Sequence, residues 1–202
     1  MRQPLAPCRR LVLGAALALA AVFATGKVSA AAEVHEHVLG DPAAPITMIE
    51  YSSLTCPHCG AFHTETLPTL KKEWIDTGKV KLVVRDFPLD QNALKAAVLA
   101  HCAGDRFFQF FDVFFAQQRT WARSSDPVAA LKQLARLGGL SEEQADACLA
   151  DQAMADAVLQ IRLDGQKEFN IESTPTFIIN GKAYPGNRTP EEFAEIFKGA
   201  GG

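Results

Sequence analysis

The strongest constraint on the fold of this chain is Cys56-Pro57-His58-Cys59, two thiols one helical turn apart. They stand between an extended apolar run, Ile46 to Tyr51, and a stretch that reads as helix towards Thr77-Gly78. Pro57 suits the first turn of that helix, where its missing N–H costs nothing. Pro68 lies inside the same helix and should kink it. A strand running into Cys-x-x-Cys at a helix start is the arrangement of a redox pair. The reason is the placement of charge. Unpaired N–H groups and the positive end of the helix dipole favour an anion there. A thiolate on Cys56 collects that stabilisation as the exposed nucleophile, and Cys59 faces back into the protein as the buried resolving thiol. His58 adds a donor to the thiolate. Each pKa unit of such stabilisation is worth about 1.4 kcal/mol. Stabilising the reduced form makes the disulfide a stronger oxidant, so Pro57-His58 argues for an electron acceptor rather than a reductant.

Other uses of the motif fit less well. A zinc ribbon wants a second close Cys/His pair, whereas Cys102 and Cys148 stand alone. Covalent haem attachment wants His directly after the second cysteine, and that position is Gly60. A plain structural disulfide leaves Pro57-His58 and the helix start unexplained.

The remainder of the chain supplies an α/β frame with a helical block in its middle. Gly40-Asp41-Pro42-Ala43-Ala44-Pro45 is a loop before the first strand, and Val80 to Arg85 alternates as a second. From about Asp90 to Glu168 the texture is helical, beginning with Leu94, Val98 and Cys102 at helical spacing. Phe107, Phe108, Phe110, Phe111, Phe114 and Phe115 follow, more readily core of the block than a ligand box. Leu131, Leu134 and Leu137 mark a helix that Gly138-Gly139 ends. Ser141-Glu142-Glu143-Gln144 is a capping box for the next, and a further helix covers about Gln152 to Phe169. Asn180-Gly181 between Thr176–Ile179 and Lys182–Tyr184 is a hairpin signal, and Thr189-Pro190-Glu191-Glu192 opens a last helix. Without the block, the order is strand, helix, three strands, helix: a small α/β domain carrying an all-helical insertion.

At 202 residues the chain can bury a real core without relying on disulfides. Residues 1–30 read as a secretory signal: Arg2, Arg9 and Arg10, an apolar run from Leu11 to Ala24, then Val28-Ser29-Ala30. The run is short for a bilayer span, which takes roughly 20 residues; an uncleaved anchor is the alternative. Leu5-Ala6-Pro7-Cys8 precedes the apolar run, so it is no lipoprotein box. Beyond residue 30 there are 16 basic and 23 acidic residues, a formal charge of −7. That offers no basic patch for nucleic acid. Four cysteines remain, an even number that suits an oxidising compartment.

Thr55-Cys56-Pro57-His58-Cys59, Ile46-Thr47-Met48-Ile49-Glu50-Tyr51 before it, and Ser173-Thr174-Pro175-Thr176 far downstream resemble the DsbA family over about residues 34–198. The resemblance implies a thioredoxin-like fold, with residues 31–89 and 170–202 as its two parts and residues 90–169 as the helical insertion. It implies that Pro175 is the cis-proline lying against the cysteines, and that Thr174 pairs its backbone with an extended substrate. Glu50 is then the buried acid beneath the pair, able to relay the Cys59 proton. A thiol pKa of about 3.5 and a potential of about −120 mV are likewise family expectations. Thr174 departs from the valine of the best-known thiol oxidase and also occurs in isomerases and reductases, which bears on the direction of the reaction. Cys102 and Cys148, in two helices of the insertion, are either a structural bridge or two buried thiols. As a bridge they would stabilise the domain by about 4 kcal/mol on the chain-entropy model.

His63 reads as a surface helix position, and His35 and His37 as part of a frayed start. His101 is helix surface or a satisfied core histidine. Asn187-Arg188-Thr189 is a sequon without consequence. The reading is thus a monomeric periplasmic oxidase that passes its Cys56–Cys59 disulfide to unfolded exported proteins. A quinone-linked membrane oxidase of the DsbB type would reoxidise it, and no metal or cofactor beyond the disulfide is called for. The rivals are an isomerase or reductase on the same fold, and a non-catalytic peptide- or copper-binding module. Dimeric isomerases carry an extra N-terminal domain, for which the ten or so residues from Ala31 to Gly40 leave no room.

Overall fold

The structure is a computed structural model that describes Met1 and residues 34–201; the signal-like segment lies outside the described residues. Five strands form one mixed sheet in the order β1-β3-β2-β4-β5: β1 His37–Leu39, β2 Ile46–Ser52, β3 Val80–Asp86, β4 Thr176–Ile179 and β5 Lys182–Pro185. β2 and β3 run parallel, with Glu50 opposite Val84 and Ser52 opposite Asp86, and β4 pairs antiparallel with β2, placing Phe177 beside Glu50. Alternation along β2 sends Ile46 and Met48 into the main core and Tyr51 into a smaller cluster with Phe87, Ile171 and Ile178 on the other face. By the same period Glu50 and Ser52 face the main core.

Between β2 and β3 the chain is helical from 57 to 75, but not as one α-helix. α1 Pro57–Ala61 passes into a π segment, Phe62–Thr66, then α2 Leu67–Leu70, then a second π segment, Lys71–Ile75. The break expected at Pro68 is therefore absorbed by wider turns on either side of a residue that cannot donate. Between β3 and β4 come α3 Gln91–Cys102, α4 Phe107–Ala116, α5 Gln118–Trp121, α6 Pro127–Leu137, α7 Glu142–Leu149 and α8 Gln152–Phe169. α9 Pro190–Gly199 closes the chain. The capping box predicted at Ser141 forms with Gln144, and the helix start predicted at Thr189 carries a second one with Glu192. Asn180 and Gly181 both take left-handed φ, 46° and 83°, as a two-residue hairpin turn requires.

α4 sits on α1 and on the π segment that follows it. Phe107, Phe110, Phe111, Phe114 and Phe115 are all buried there, each stabilising by about 1.5–3 kcal/mol if fully removed from water. The phenylalanine cluster is thus core, and it forms the roof over the cysteine-bearing turn. Strand β1 was not anticipated. Three residues on a sheet edge are too short for alternation to show, and His37 lies within it rather than in a frayed start.

Candidate active site

Cys56 is the N-cap of α1, extended at φ −75° and ψ 121°, with Pro57 in the first turn. Its sulfur therefore stands in front of the first unpaired N–H groups of the helix. Cys59 is one turn on and fully buried. The structure holds both as free thiols. Pro175 follows a cis peptide bond after Thr174, on the loop leading into β4. The Cys56 Sγ–H donates to the Thr174 carbonyl at 3.3 Å, which brings together two segments 118 residues apart. Sequence reasoning pictured Cys56 as exposed. Only 6% of it is accessible, because the Thr174–Pro175 loop covers it.

The two sulfurs are driven apart in acidity. Cys56 is lowered from 9.0 to about 5, first by the hydrogen bond from the Cys59 thiol. Burial opposes this, and Thr174 and the backbone N–H groups of Cys59 and His58 support it. The contribution of His58 is thus through its main chain, while its imidazole is exposed to solvent. Cys59 is raised well above the ordinary thiol range by burial, by its bond to Cys56 and by the charge of Glu50; Ser52 works weakly the other way. The geometry therefore makes one sulfur a stable anion and keeps the proton on its neighbour.

Glu50 is completely buried. Its Oε2 meets His63 Nε2 at 2.9 Å, and the His63 side chain is only 1% accessible. His63 is therefore not a surface residue. It lies one turn beyond Cys59, and that i,i+4 spacing, read against a buried Cys59, is the signal that would have placed it inside. Its ring stacks on Phe115 with centroids 4.3 Å apart. Gln118 was also missed, and nothing local marks it. Its Nε2 donates to the carbonyls of Leu54 at 2.9 Å and Cys56 at 2.8 Å, holding the turn that carries the nucleophile. Gly60 leaves room for this, since a Cβ there would come within 2.7 Å of Gln118 Oε1.

Cys102 and Cys148 are joined by a disulfide that ties α3 to α7, with Cα atoms 6.3 Å apart. No cluster of three or more His, Cys, Asp or Glu groups that could hold a metal occurs among the described residues. None of their helices is long and apolar enough to cross a membrane. An open cleft of about 620 Å³ borders the cysteine turn, with Pro57, Gly60, Phe115, Gln118 and Arg119 on its walls. A cleft of similar size, about 650 Å³, lies by β1 and α8, but no thiol reaches it.

The chain matches the thioredoxin family profile over residues 32–198. It is 36% identical over 159 residues to a Rickettsia typhi protein named as a protein-disulfide oxidoreductase; the match takes in 78% of this chain and only 59% of the relative's length. Among solved structures it resembles alpha-DsbA1 of Wolbachia pipientis, with a TM-score of 0.76, 33% identity, and coverage of 82% of this chain and 90% of the other. A protein-disulfide isomerase from Novosphingobium aromaticivorans aligns with a TM-score of 0.69 and 26% identity, covering 80% of this chain and 97% of that one.

Proposed function

The chain belongs to the DsbA family of thioredoxin-fold proteins, and from that premise we propose that it is an exported dithiol oxidase whose working group is the Cys56–Cys59 disulfide. A substrate thiolate attacks Cys56 Sγ, the bond to Cys59 breaks, and Cys59 leaves with the electron pair and takes up a proton. A second substrate thiolate then attacks its own sulfur in the mixed disulfide. The substrate disulfide closes and Cys56 departs as a thiolate. Two electrons have passed from substrate to protein, and no further cofactor is required.

The observation that carries this reading is the stabilised Cys56 anion, lowered to about 5. A good leaving thiolate makes the mixed disulfide quick to resolve and the oxidised protein a strong acceptor. Thr174 and the cis Pro175 would align an extended substrate segment against Cys56, and Glu50 would handle the Cys59 proton. Residues 31–89 and 170–202 then act as the thioredoxin-like part, with the helical block 90–169 as its inserted roof and Cys102–Cys148 as a structural clamp. The N-terminal thirty residues would direct the chain to the periplasm. There, as a monomer, it would oxidise unfolded exported proteins and be reoxidised by a quinone-linked partner of the DsbB type.

Titrating the thiolate absorbance of the reduced protein tests the claim directly. An inflection near 5 is expected; one near the ordinary 9.0 would overturn it. Cys56→Ala should abolish oxidation of a reduced, unfolded peptide while leaving the fold intact. Thr174 and the Novosphingobium neighbour favour a second reading, isomerase or reductase. The midpoint potential decides between them: about −120 mV marks the oxidant and about −270 mV a thioredoxin-like reductant.

A further inference from the structure

Among the described residues, five buried side-chain atoms have no hydrogen-bond partner: Glu50 Oε1, Ser52 Oγ, His63 Nδ1, Thr174 Oγ1 and Arg188 Nε. Buried polar atoms are nearly always paired, so unpaired ones call for an explanation. Four of these five belong to residues that bear on the cysteine pair or on its buried acid.

His63 is the least expected of them. Its ring is fixed by stacking on Phe115 at 22° and by the edge of Phe62. A phenylalanine would serve that packing as well. What histidine adds is the nitrogen at 2.9 Å from Glu50 Oε2. With Nδ1 unpartnered, the proton belongs on Nε2, since an unmet buried N–H is the costlier alternative. Nε2–H then donates to the carboxylate and fixes its orientation. The other ionisable groups around His63 are Cys59 on its own helical run, beyond Glu50, and Asp112 of α4. Burial raises the Asp112 carboxyl, and His63 and Lys71 draw it back.

We infer that His63 is a positioning residue for the step in which Cys59 attacks: by holding Glu50 Oε2 it fixes the carboxylate in place and leaves Oε1 to take the Cys59 proton. This rests on the dithiol reading above. Take reoxidation by glutathione disulfide. The Cys56 thiolate attacks one glutathione sulfur, forming a mixed disulfide and releasing one glutathione thiolate. Cys59 then gives its proton to Glu50 Oε1, and its sulfur attacks Cys56 Sγ. The bond from Cys56 to the second glutathione breaks, and its electron pair leaves on glutathione sulfur. That thiolate takes a proton from solvent, and Glu50 returns its own to solvent.

The experiment mixes reduced full-length protein with glutathione disulfide across a pH series, quenches with acid and counts the mixed disulfide by mass spectrometry. In His63→Phe the mixed disulfide should accumulate. The second step at neutral pH should slow about tenfold or more, the usual weight of a hydrogen bond to a charged group, and its pH inflection should move upward. His63→Gln, which keeps an N–H donor, should recover the faster rate, and it also serves if the phenylalanine variant fails to fold. In a Glu50→Gln background His63→Phe should add nothing. An unshifted inflection in folded His63→Phe and His63→Gln, or an undiminished effect in that background, overturns the inference. Wild-type protein that forms no Cys56–Cys59 disulfide from glutathione disulfide overturns the dithiol reading instead, whatever His63 does.

Discussion

Two buried carboxylates face the same side of neighbouring parallel strands, Glu50 on β2 and Asp86 on β3, and each is met by an imidazole from a helix. His63 approaches Glu50 at 2.9 Å and His101 approaches Asp86 at 2.6 Å. The chemistry is the same; the surroundings are not. None of the unpartnered buried atoms among the described residues belongs to Asp86 or His101, whereas Glu50 and His63 each contribute one. His101 is further packed by Phe107, on which His37 stacks at 3.8 Å. The Asp86 pair borders the cleft that His101 helps to line, and no free thiol lines that cleft. The Glu50 pair keeps an acceptor in reserve beside Cys59. A buried imidazole–carboxylate pair is thus no mark of chemistry in itself; what distinguishes the Glu50 pair is its wholly buried, unpartnered oxygen and the charge that acts on Cys59.

Asp86→Ala should break this contrast most forcefully. It leaves His101 without the partner for which it was buried, and loss of one member of such a pair costs about 3–5 kcal/mol. Urea unfolding should show that loss, with thiol exchange by the folded fraction retaining the wild-type pH profile. A variant of undiminished stability with an altered exchange profile would place Asp86 in the redox machinery and erase the distinction.

Gln118→Ala sharpens it from the other side, because the cysteine region also contains polar groups whose work is purely to hold. The change strips the buried Leu54 carbonyl of the Gln118 donor and leaves the Cys56 carbonyl only the Gly60 N–H. About 1–3 kcal/mol of stability should go, read again by unfolding, with faster alkylation of Cys56 as its turn loosens. Unaltered stability would mean that the two carbonyls find other donors.

What could be read from the sequence divides along the same line. Cys56-Pro57-His58-Cys59, the Asn180-Gly181 turn, the capping box at Ser141 and the helix start at Thr189 are local: each specifies its geometry within four residues, and each forms. The partners of Glu50, Asp86 and the Cys56 carbonyl lie 13, 15 and 62 residues away. Only the folded sheet and its helical roof bring them together, so His63 read as a surface residue and Gln118 was not noticed. His101 was left open between surface and core because nothing local announces Asp86. The same reason hid β1, whose three residues form a strand only because Val83 and its neighbours on β3 offer an edge.

The smallest effect concerns His37, at the margin of the Asp86–His101 pair. Its pKa is lowered from 6.5 to about 4, chiefly by burial, then by repulsion from His101; His35 adds to this, while Asp86 and Asp105 pull the other way. Below 6.5 the unfolded chain binds a proton that the folded chain refuses until about pH 4. The stability linked to His37 is therefore fully present above 6.5, declines as pH falls, and is gone once the pH has dropped below 4. His37→Phe keeps a ring against Phe107 and removes the titrating nitrogen, so the melting temperature should fall less steeply between pH 6.5 and 4 than in the wild type. Circular dichroism melts across that range are sufficient. An equally steep decline in the variant would mean that His37 is not the source of the acid sensitivity.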